Sequence, residues 1–421
     1  MKITRIVAFL MSLSLALPLF CGCALFEDRT EYAVVEADRQ SDGFVYDVYE
    51  NRTVTVKGTT LTDSYLTIPD TLGGYPVTAI GESAFEKNEQ LVHVRLGANV
   101  ERIEKKAFYS AKKLLFVEAT AALTQIGEQA FALCSSLCSF QGAEKLRSID
   151  KDAFSVCAAL CMIELPETLR SVGEGAFSDC EALTFVTLAD GVTLGESAFS
   201  NCRRLSTLTL GKIKSLPDSA FEGCTSLVNV ELPKSLTSIG RAAFSGCTSL
   251  TNLNLPKRVK QIGAMAFKNT VWLDSRTEEF VIVNKGILLK YNGTASTVTV
   301  PDRVRVILDA FSGNESLKGV TVGGKVTLID GGAFSNCKAL AQVSISAPVT
   351  KIGKSAFYNC KSLTTIYLPE ELLEIENGAF SGCKALTTVN YAGSQSNWSQ
   401  IILGKSNAPL QAATVHFEQK P

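Results

Sequence analysis

Hydrophobic and polar positions alternate in short runs along most of this chain, and the runs recur at a nearly constant interval. In the stretch 227–233 (Leu-Val-Asn-Val-Glu-Leu-Pro), Val230 and Leu232 fall on one side of an extended strand, and the polar residues between them fall on the other. Alternation with a period of two residues is typical of a half-buried β-strand, and the final proline ends it because proline cannot donate a ladder hydrogen bond. The pattern therefore predicts one short strand in each interval.

Two further segments complete the repeating unit. Ile239 lies in a second, shorter extended segment, and Gly240 follows it. The glycine predicts a tight turn with a positive φ, a conformation that glycine adopts without steric cost. An Ala-Phe pair comes next in a predicted helical turn, where Phe244 fills the core.

From residue 84 onward the Ala-Phe pair occurs thirteen times, in steps of 22 or 23 residues except for one step of 44. The step of 44 equals two steps of 22, so one unit has lost its signature and kept its register. A period in the low twenties predicts a solenoid, in which each unit buries its apolar face only against its neighbours. The phenylalanines are Phe85, Phe108, Phe131, Phe154, Phe177, Phe199, Phe221, Phe244, Phe267, Phe311, Phe334, Phe357 and Phe380.

Stacking of these units predicts a parallel β-sheet along one face, with strands about 4.8 Å apart and short turns or helical turns opposite. The spacing indicates about 13–14 coils on this basis. A chain of 421 residues is longer than one compact core usually sustains, but the core of a solenoid grows with each coil.

Charge adds little to this picture. The net charge is −1, from 41 basic and 42 acidic residues that are interspersed along the chain. Because the basic residues form no run or stripe in the sequence, we expect no nucleic-acid partner.

Candidate catalytic and metal-binding groups are sparse. The two histidines, His93 and His416, are far apart, which disfavours a histidine-rich metal site and most triad chemistries. The sequence has no phosphate-binding loop and no nucleophile elbow between a strand and a helix. We therefore expect no catalytic residues, no metal, no cofactor and no enzymatic activity.

The first 23 residues have the composition of a secretory signal. Lys2 and Arg5 precede an apolar stretch that runs to Phe20, and Cys21-Gly22-Cys23 follows. This ending resembles the cleavage box of bacterial lipoproteins, with Cys23 as the lipid-bearing residue that would anchor the protein stably to a membrane. An ordinary cleaved signal and an uncleaved membrane anchor are the alternatives.

Nine cysteines lie three residues after a repeat phenylalanine. One interpretation is a ladder of buried, reduced thiols that donate weak hydrogen bonds to loop carbonyls; disulfides between neighbouring coils are the alternative. Cys138 and Cys161 are extra and occupy equivalent positions in adjacent coils, which makes them the best disulfide candidate. The ladder cysteines are Cys134, Cys157, Cys180, Cys202, Cys224, Cys247, Cys337, Cys360 and Cys383.

The repeated pattern Leu-x-x-Val-x-Leu-Pro, then Ile-Gly-x-x-Ala-Phe-x-x-Cys-x-x-Leu, resembles the bacterial BspA-type leucine-rich repeat, also called the Treponema pallidum-type repeat. The resemblance covers residues 64–391 and implies a leucine-rich-repeat solenoid. It also implies an N-terminal linker and β cap over 24–63 and a C-terminal cap over 392–421. An irregular unit at 271–305 fits a β-hairpin insert, for which Tyr291-Asn-Gly supplies turn chemistry.

The same resemblance implies cell-surface adhesion, with host matrix proteins, host cells or other bacteria as partners. A structural scaffold lipoprotein of the periplasm or envelope, without a host ligand, is the alternative function. A third function, carbohydrate binding, is disfavoured because the sequence lacks clustered exposed aromatic residues. In either case the chain would be exported and membrane-anchored, at the bacterial cell surface or in the periplasm.

Outward-facing strand positions in the N-terminal half differ from those in the C-terminal half, which are mostly small and polar. Aromatic and methionine side chains rimmed by charge often mark a protein-binding patch. Burial of the same residues beneath the N-terminal module is the alternative. The candidate protein-binding residues are His93, Arg95, Phe116, Glu118, Met162, Glu164 and Phe185.

Overall fold

Successive turns of the chain stack in register, and each turn contributes to two rows of short strands. The computed structural model describes residues 32–419, so the predicted signal segment 1–23 and Cys23 lie outside the described residues. Within the described part, the chain forms a parallel-strand solenoid of about 16 turns. The predicted repeat solenoid is confirmed, although it has about 16 turns where the spacing predicted about 13–14.

The first row, called the face strands, forms the sheet along one side of the solenoid. Parallel ladders join five strands at its N-terminal end and six at its C-terminal end, with two pairs between them. The face strands are Tyr65–Thr67, His93–Arg95, Phe116–Glu118, Ser139–Gln141, Met162–Ile163, Phe185–Thr187, Thr207–Thr209, Asn229–Glu231, Asn252–Asn254, Thr297–Thr299, Gly319–Val322, Gln342–Ile345, Thr365–Leu368, Thr388–Tyr391 and Thr414–His416.

The second row, called the side strands, follows the face strands after a short loop in each turn. Most side strands have only two residues, of which the second is buried and the first faces outward. They are Val54–Thr59, Tyr75–Ile80, Arg102–Ile103, Gln125–Ile126, Ser148–Ile149, Ser171–Val172, Thr193–Leu194, Ser215–Leu216, Ser238–Ile239, Gln261–Ile262, Ile287–Tyr291, Val306–Ile307, Leu328–Ile329, Lys351–Ile352, Glu374–Ile375 and Ile402–Leu403.

Each Ala-Phe pair lies in a double turn rather than in a helical turn. Around Phe154, the backbone N–H of Ser155 donates to the carbonyl of Asp152, and that of Cys157 donates to the carbonyl of Phe154. Asp152 and Val156, two residues before and after the phenylalanine, have φ values of 53° and 60°. These left-handed residues interrupt the helical path, so the predicted helical turn is wrong in its detail.

Stacked phenylalanine rings fill the core between the two rows. The rings from Phe85 to Phe267 form one stack and those from Phe311 to Phe380 another, with neighbouring centroids 4.9–6.0 Å apart and interplanar angles of at most 14°. Backbone hydrogen bonds join the same Ala-Phe pairs, because the N–H of Phe154 donates to the carbonyl of Ala176 in the next turn at 2.8 Å. Ring spacing and strand spacing are therefore set together.

Gly240 does not have the positive φ that the sequence predicts. A Cβ at this position would lie 2.4 Å from the carbonyl carbon of Pro217 and 2.5 Å from the amide nitrogen of Asp218 in the preceding turn. The equivalent Gly173 and Gly263 have the same kind of backbone contact. The repeat needs glycine here because neighbouring turns approach closely, and the left-handed positions lie beside the phenylalanine instead.

The irregular unit contains an antiparallel hairpin. Phe280–Val283 pairs with Ile287–Tyr291, and the turn between them has φ values of 44° at Asn284 and 94° at Gly286. The predicted placement of the turn at 291–293 is therefore wrong, because Asn284 and Gly286 already supply the left-handed conformations. Thr297–Thr299 joins the face strands and takes no part in the hairpin.

This hairpin separates two hydrophobic cores. Val281 and Leu289 belong to the core that begins at Phe44, whereas Leu288 and Tyr291 belong to the core that extends to Leu410. Alternate side chains of an extended strand point in opposite directions, so the hairpin forms a two-sided wall.

Aromatic residues outside the Ala-Phe signature close the gap between the two stacks. Trp272, in the short helix α1 (Val271–Asp274), lies 4.8 Å from the ring of Phe267 and ends the first stack. Tyr291 lies 5.0 Å from the ring of Phe311 and begins the second. Tyr291 therefore takes the place of the missing phenylalanine.

Both ends of the described solenoid are covered. At the N-terminus, Val34–Ser41, Phe44–Tyr49 and Val54–Thr59 form an antiparallel meander, whose last strand pairs with Tyr75–Ile80. Thr71–Leu72 forms a small antiparallel pair with the same side strand.

At the C-terminus, helices α2 (Gln395–Trp398) and α3 (Ala408–Ala412) follow the last complete repeat. The side-chain oxygen of buried Asn407 accepts the N–H of Phe380 at 2.9 Å, in place of the alanine carbonyl that a further turn would supply. An asparagine side chain thus satisfies the open end of the backbone ladder.

Candidate protein-binding surface

Alternation along the face strands brings one column of side chains to the surface in register. The strand pairing aligns Tyr65, His93, Phe116, Ser139 and Met162 across five neighbouring strands. The residue after each of them points inward and is buried. The core therefore fixes the direction of this column.

The column is unusually apolar for an exposed surface. The exposed fractions are 49% for Tyr65, 43% for Phe116, 42% for Met162 and 40% for Phe185. His93 connects two of these residues, since its ring lies 4.4 Å from that of Tyr65 and 5.9 Å from that of Phe116. We call Tyr65, His93, Phe116, Met162 and Phe185 the apolar column.

Charged side chains border the apolar column. His93 Nε2 lies 2.9 Å from Glu118 Oε1, although no hydrogen bond of regular geometry joins them, and Arg95 Nε lies 3.7 Å from Glu118 Oε2. Glu164 is exposed just beyond the end of its face strand. Pairs as exposed as that of Arg95 and Glu118 contribute little to stability, which leaves their charges available to a partner.

A depression of about 540 Å³ adjoins the charged border at the loops that follow the first face strands. Arg95 and Glu118 line it together with Thr67, Asp70 and Thr120. It presents charged groups of both signs beside the exposed aromatic rings.

The N-terminal module does not cover the apolar column. Its meander, from Val34 to Thr59, extends the row of side strands and leaves Phe116 and Phe185 exposed. Sequence reasoning missed Tyr65 as a member of the column. The signal was present in Tyr65-Leu-Thr67, which alternates in the same way as His-Val-Arg one turn later.

The nine ladder cysteines are buried in a line parallel to the phenylalanine stack. Each Sγ donates to the carbonyl oxygen of the phenylalanine in the preceding turn, at 3.0–3.3 Å. Burial raises the pKa of Cys134, Cys247 and Cys337 to about 12. The same cause raises the pKa of Cys157 and Cys180 well above the usual value.

Cys138 and Cys161 lie in neighbouring turns outside this ladder. The two thiols are free, and Cys161 Sγ lies 3.4 Å from the carbonyl oxygen of Cys138. Cys161 is exposed and Cys138 is partly exposed, so both differ from the ladder thiols in access to reagents.

Thiol labelling distinguishes the two groups. With iodoacetamide at neutral pH, we expect the folded protein to react at Cys138 and Cys161 and not at the ladder cysteines, because the thiolate is the nucleophile and burial suppresses it. Peptide mass spectrometry measures the sites. Labelling of the denatured, unreduced protein at all eleven described cysteines would exclude a disulfide. Fast labelling of Cys157 in the folded protein would contradict the expectation.

Residues 32–419 form neither a membrane-spanning helix nor a cluster of metal-binding side chains. None of the helices formed by these residues combines the length and hydrophobicity needed to cross a membrane. Among the same residues, no group of three or more histidine, cysteine, aspartate or glutamate side chains is arranged to hold a metal ion.

Short parallel strands, a stacked phenylalanine core and one inward cysteine or equivalent per turn define a leucine-rich-repeat solenoid. The chain belongs to the family described as BspA type leucine rich repeat region, whose profile matches residues 64–184, 147–274 and 289–407. The predicted family is therefore confirmed, and proteins of this family are typically non-enzymatic.

Several solved structures are similar to this chain. A leucine-rich repeat protein from Bacteroides ovatus is 22% identical, with 91% of this chain and 100% of that chain covered and a TM-score of 0.49. A leucine rich cell surface protein from Faecalibacterium prausnitzii is 25% identical over 86% and 97%, with a TM-score of 0.46. The T. pallidum leucine rich repeat protein is 27% identical over 51% and 90%, with a TM-score of 0.39. No curated protein matches the sequence.

Proposed function

We propose that this chain is an exported, non-enzymatic recognition protein that binds other proteins through the apolar column and its charged border. The observation that supports this function is the exposure of Tyr65, Phe116, Met162 and Phe185 on one face. Exposed apolar groups rimmed by charge resemble the centre and rim of a protein interface.

The solenoid suits this role because it holds the side chains rigidly. Each outward residue lies between inward residues or turns that are packed into the core. Binding of a partner therefore costs little conformational entropy on this side of the interface. In the C-terminal half, the equivalent outward residues include Gln342, Thr365 and Thr388, which are small or polar. The N-terminal half is therefore the favoured interface, with host matrix proteins or other cell-surface proteins as the proposed partners.

Export and anchoring form part of the proposal. The sequence of residues 1–23 supports a signal, and Cys23 is the proposed lipidation site. Mass spectrometry of the mature N-terminus tests lipidation at Cys23. Protease treatment of intact cells separates a surface protein, which is cleaved, from a periplasmic scaffold, which stays protected.

The double substitution Phe116→Ser with Phe185→Ser is expected to abolish partner binding and to leave the fold intact, because both rings are exposed and lie outside the core. Binding is measured with residues 24–421 on immobilised matrix proteins and on envelope fractions, after circular dichroism has verified the fold. The first ligand captured by the unmodified protein then serves as the probe for the variants.

Tyr358→Ser with Leu373→Ser is the matched control. These side chains are 44% and 64% exposed, but they lie away from the apolar column. The control should bind as the unmodified protein does. Full binding by the Phe116 and Phe185 variant would remove the apolar column as the interface.

A further inference from the structure

The loops that follow the face strands carry a row of positive charge in the middle of the solenoid. Five such loops and the hairpin turn 284–286 contain ten lysine and arginine residues and one acidic residue, Asp302. They hold two, one, three, one, two and one basic residues in chain order. All ten side chains are exposed. These loops, called the basic row, are 211–214, 233–237, 256–260, 284–286, 301–305 and 323–327.

Backbone hydrogen bonds place these loops next to each other. The N–H of Lys260 donates to the carbonyl of Thr237, and that of Thr237 donates to the carbonyl of Lys214. Beyond the hairpin, the N–H of Arg305 donates to the carbonyl of Gly286. At the typical strand spacing of about 4.8 Å, the six loops extend over roughly 24 Å.

The hairpin keeps the row continuous where the repeat is irregular. Its turn residue Asn284 donates through Nδ2 to the carbonyl of Val259 at 2.7 Å, in the loop of the preceding turn. Lys285 therefore occupies the row between the loops that contain Arg258 and Arg303.

Most of this charge has no partner within the protein. Lys212 Nζ lies 2.6 Å from Asp190, at the N-terminal end of the row. In the part of the chain that the structure describes, the other nine cations form no ion pair. The corresponding loops elsewhere differ, since 142–147 carries both signs and 369–373 contains Glu370 and Glu371 without any cation.

The sequence-based expectation that basic residues form no stripe is therefore wrong. The cations of successive loops lie 18 to 28 residues apart and form no run in the sequence, but the register of the repeat aligns them in space. Side chains of like charge repel each other at this spacing, and together they create a positive electrostatic potential. Binding of an anionic ligand would reduce this repulsion.

A depression of about 460 Å³ lies in the C-terminal half of the basic row. Lys285, Arg303, Arg305 and Lys325 line it, together with Asn284 and Asp302. Four cations around one concavity can contact an anionic group from several sides, and arginine can do so through two hydrogen bonds at once.

We propose that the basic row binds a linear sulfated polysaccharide, with one sulfated segment in this depression. The row is extended, which matches a chain with regularly repeated charges. None of the six loops contains an aromatic residue, so single-stranded nucleic acid would find no stacking platform there. None of the large hydrophobic side chains exposed in the described residues lies in these loops, so they offer no apolar group for insertion into a membrane surface.

The test measures binding of residues 24–421 to heparin at about 0.1 M salt, where surface charges act over roughly 10 Å. The variant Lys257→Gln, Arg258→Gln, Arg303→Gln and Arg305→Gln should lose affinity by about tenfold or more, as expected when several charge contacts are removed. Chemically desulfated heparin should bind the unmodified protein more weakly than heparin does.

A second variant with the same loss of charge controls for non-specific attraction. It carries Lys112→Gln, Lys113→Gln, Lys361→Gln and Lys384→Gln, four exposed lysines in loops that precede the face strands. It should bind heparin within about twofold of the unmodified protein, because screened charges outside the row contribute little. Equal losses in the two variants would overturn the proposal.

Two further probes decide the class of ligand. Single-stranded DNA and vesicles rich in an anionic lipid should each bind more weakly than heparin at equal charge concentration. Equal or tighter binding of either probe to the basic row would overturn the polysaccharide assignment. Phe116→Ser with Phe185→Ser should keep full heparin affinity, so failure of this proposal and failure of the proposed protein-binding function can be told apart.

Discussion

Replacement of Phe154 by alanine is expected to lower the free energy of unfolding by about 3–5 kcal/mol, the range for large-to-small changes of buried aromatic residues. Phe154 is fully buried, and its ring lies 5.2 Å from Phe131, 5.3 Å from Phe177 and 5.4 Å from Phe140. The substitution removes all three aromatic contacts and leaves a cavity between turns that the rigid backbone ladder cannot close. Chemical denaturation followed by circular dichroism measures the change.

Phe116→Ala is the matched control for this prediction. The same residue type is removed one to two turns away, but from the exposed surface, and surface substitutions typically change stability by about 0.5 kcal/mol or less. A loss for Phe154→Ala no greater than that for Phe116→Ala would show that the ring stack does not stabilise the solenoid.

Replacement of Gly240 by alanine is expected to destabilise the protein by about 3 kcal/mol, the upper end of the usual cost of overpacking. The added Cβ would lie 2.4 Å from the backbone of Pro217 and 2.5 Å from that of Asp218, so two turns would have to separate. Backbone atoms cannot change rotamer to relieve this contact. The midpoint of denaturation measures the effect.

Gly313→Ala separates the cost of collision from the cost of backbone conformation. Gly313 has a φ of 75°, and a Cβ there would meet no atom within 4 Å. Alanine at this position should cost about 1–2 kcal/mol through the left-handed conformation alone. If Gly313→Ala proves as costly as Gly240→Ala, close approach of turns is not the reason for the repeat glycine.

The spacing of the Ala-Phe pairs was enough to predict the solenoid, because a side chain that must fill a linear core can recur only once per turn. Alternation in the face strands likewise predicted which side of each strand points outward, and the structure has Phe116, Met162 and Phe185 exposed there. The double step between Phe267 and Phe311 located the irregular unit that contains the hairpin. Each of these inferences depends on contacts within one turn or with the next.

The inferences that failed depend on contacts that the sequence does not display. The role of Gly240 follows from the distance between two backbones. A glycine that is required for a positive φ looks the same in the sequence. The basic row arises from the register of six turns, and Tyr291 joins the ring stack without an alanine before it. The hairpin turn at Asn284 was missed because Asn292-Gly293 carries an equally strong turn signal.

The two-sided hairpin also affects how the protein can gain or lose repeat units. Because Leu289 faces one core and Leu288 the other, the hairpin forms a wall between the turns before it and the turns after it. In a repeat protein each unit interacts mainly with its neighbours, so duplication or loss of a whole unit changes only the contacts of the adjacent units. A unit gained or lost between Phe108 and Phe244 would therefore leave the second core as it is. The hairpin divides the solenoid into two blocks that can lengthen independently.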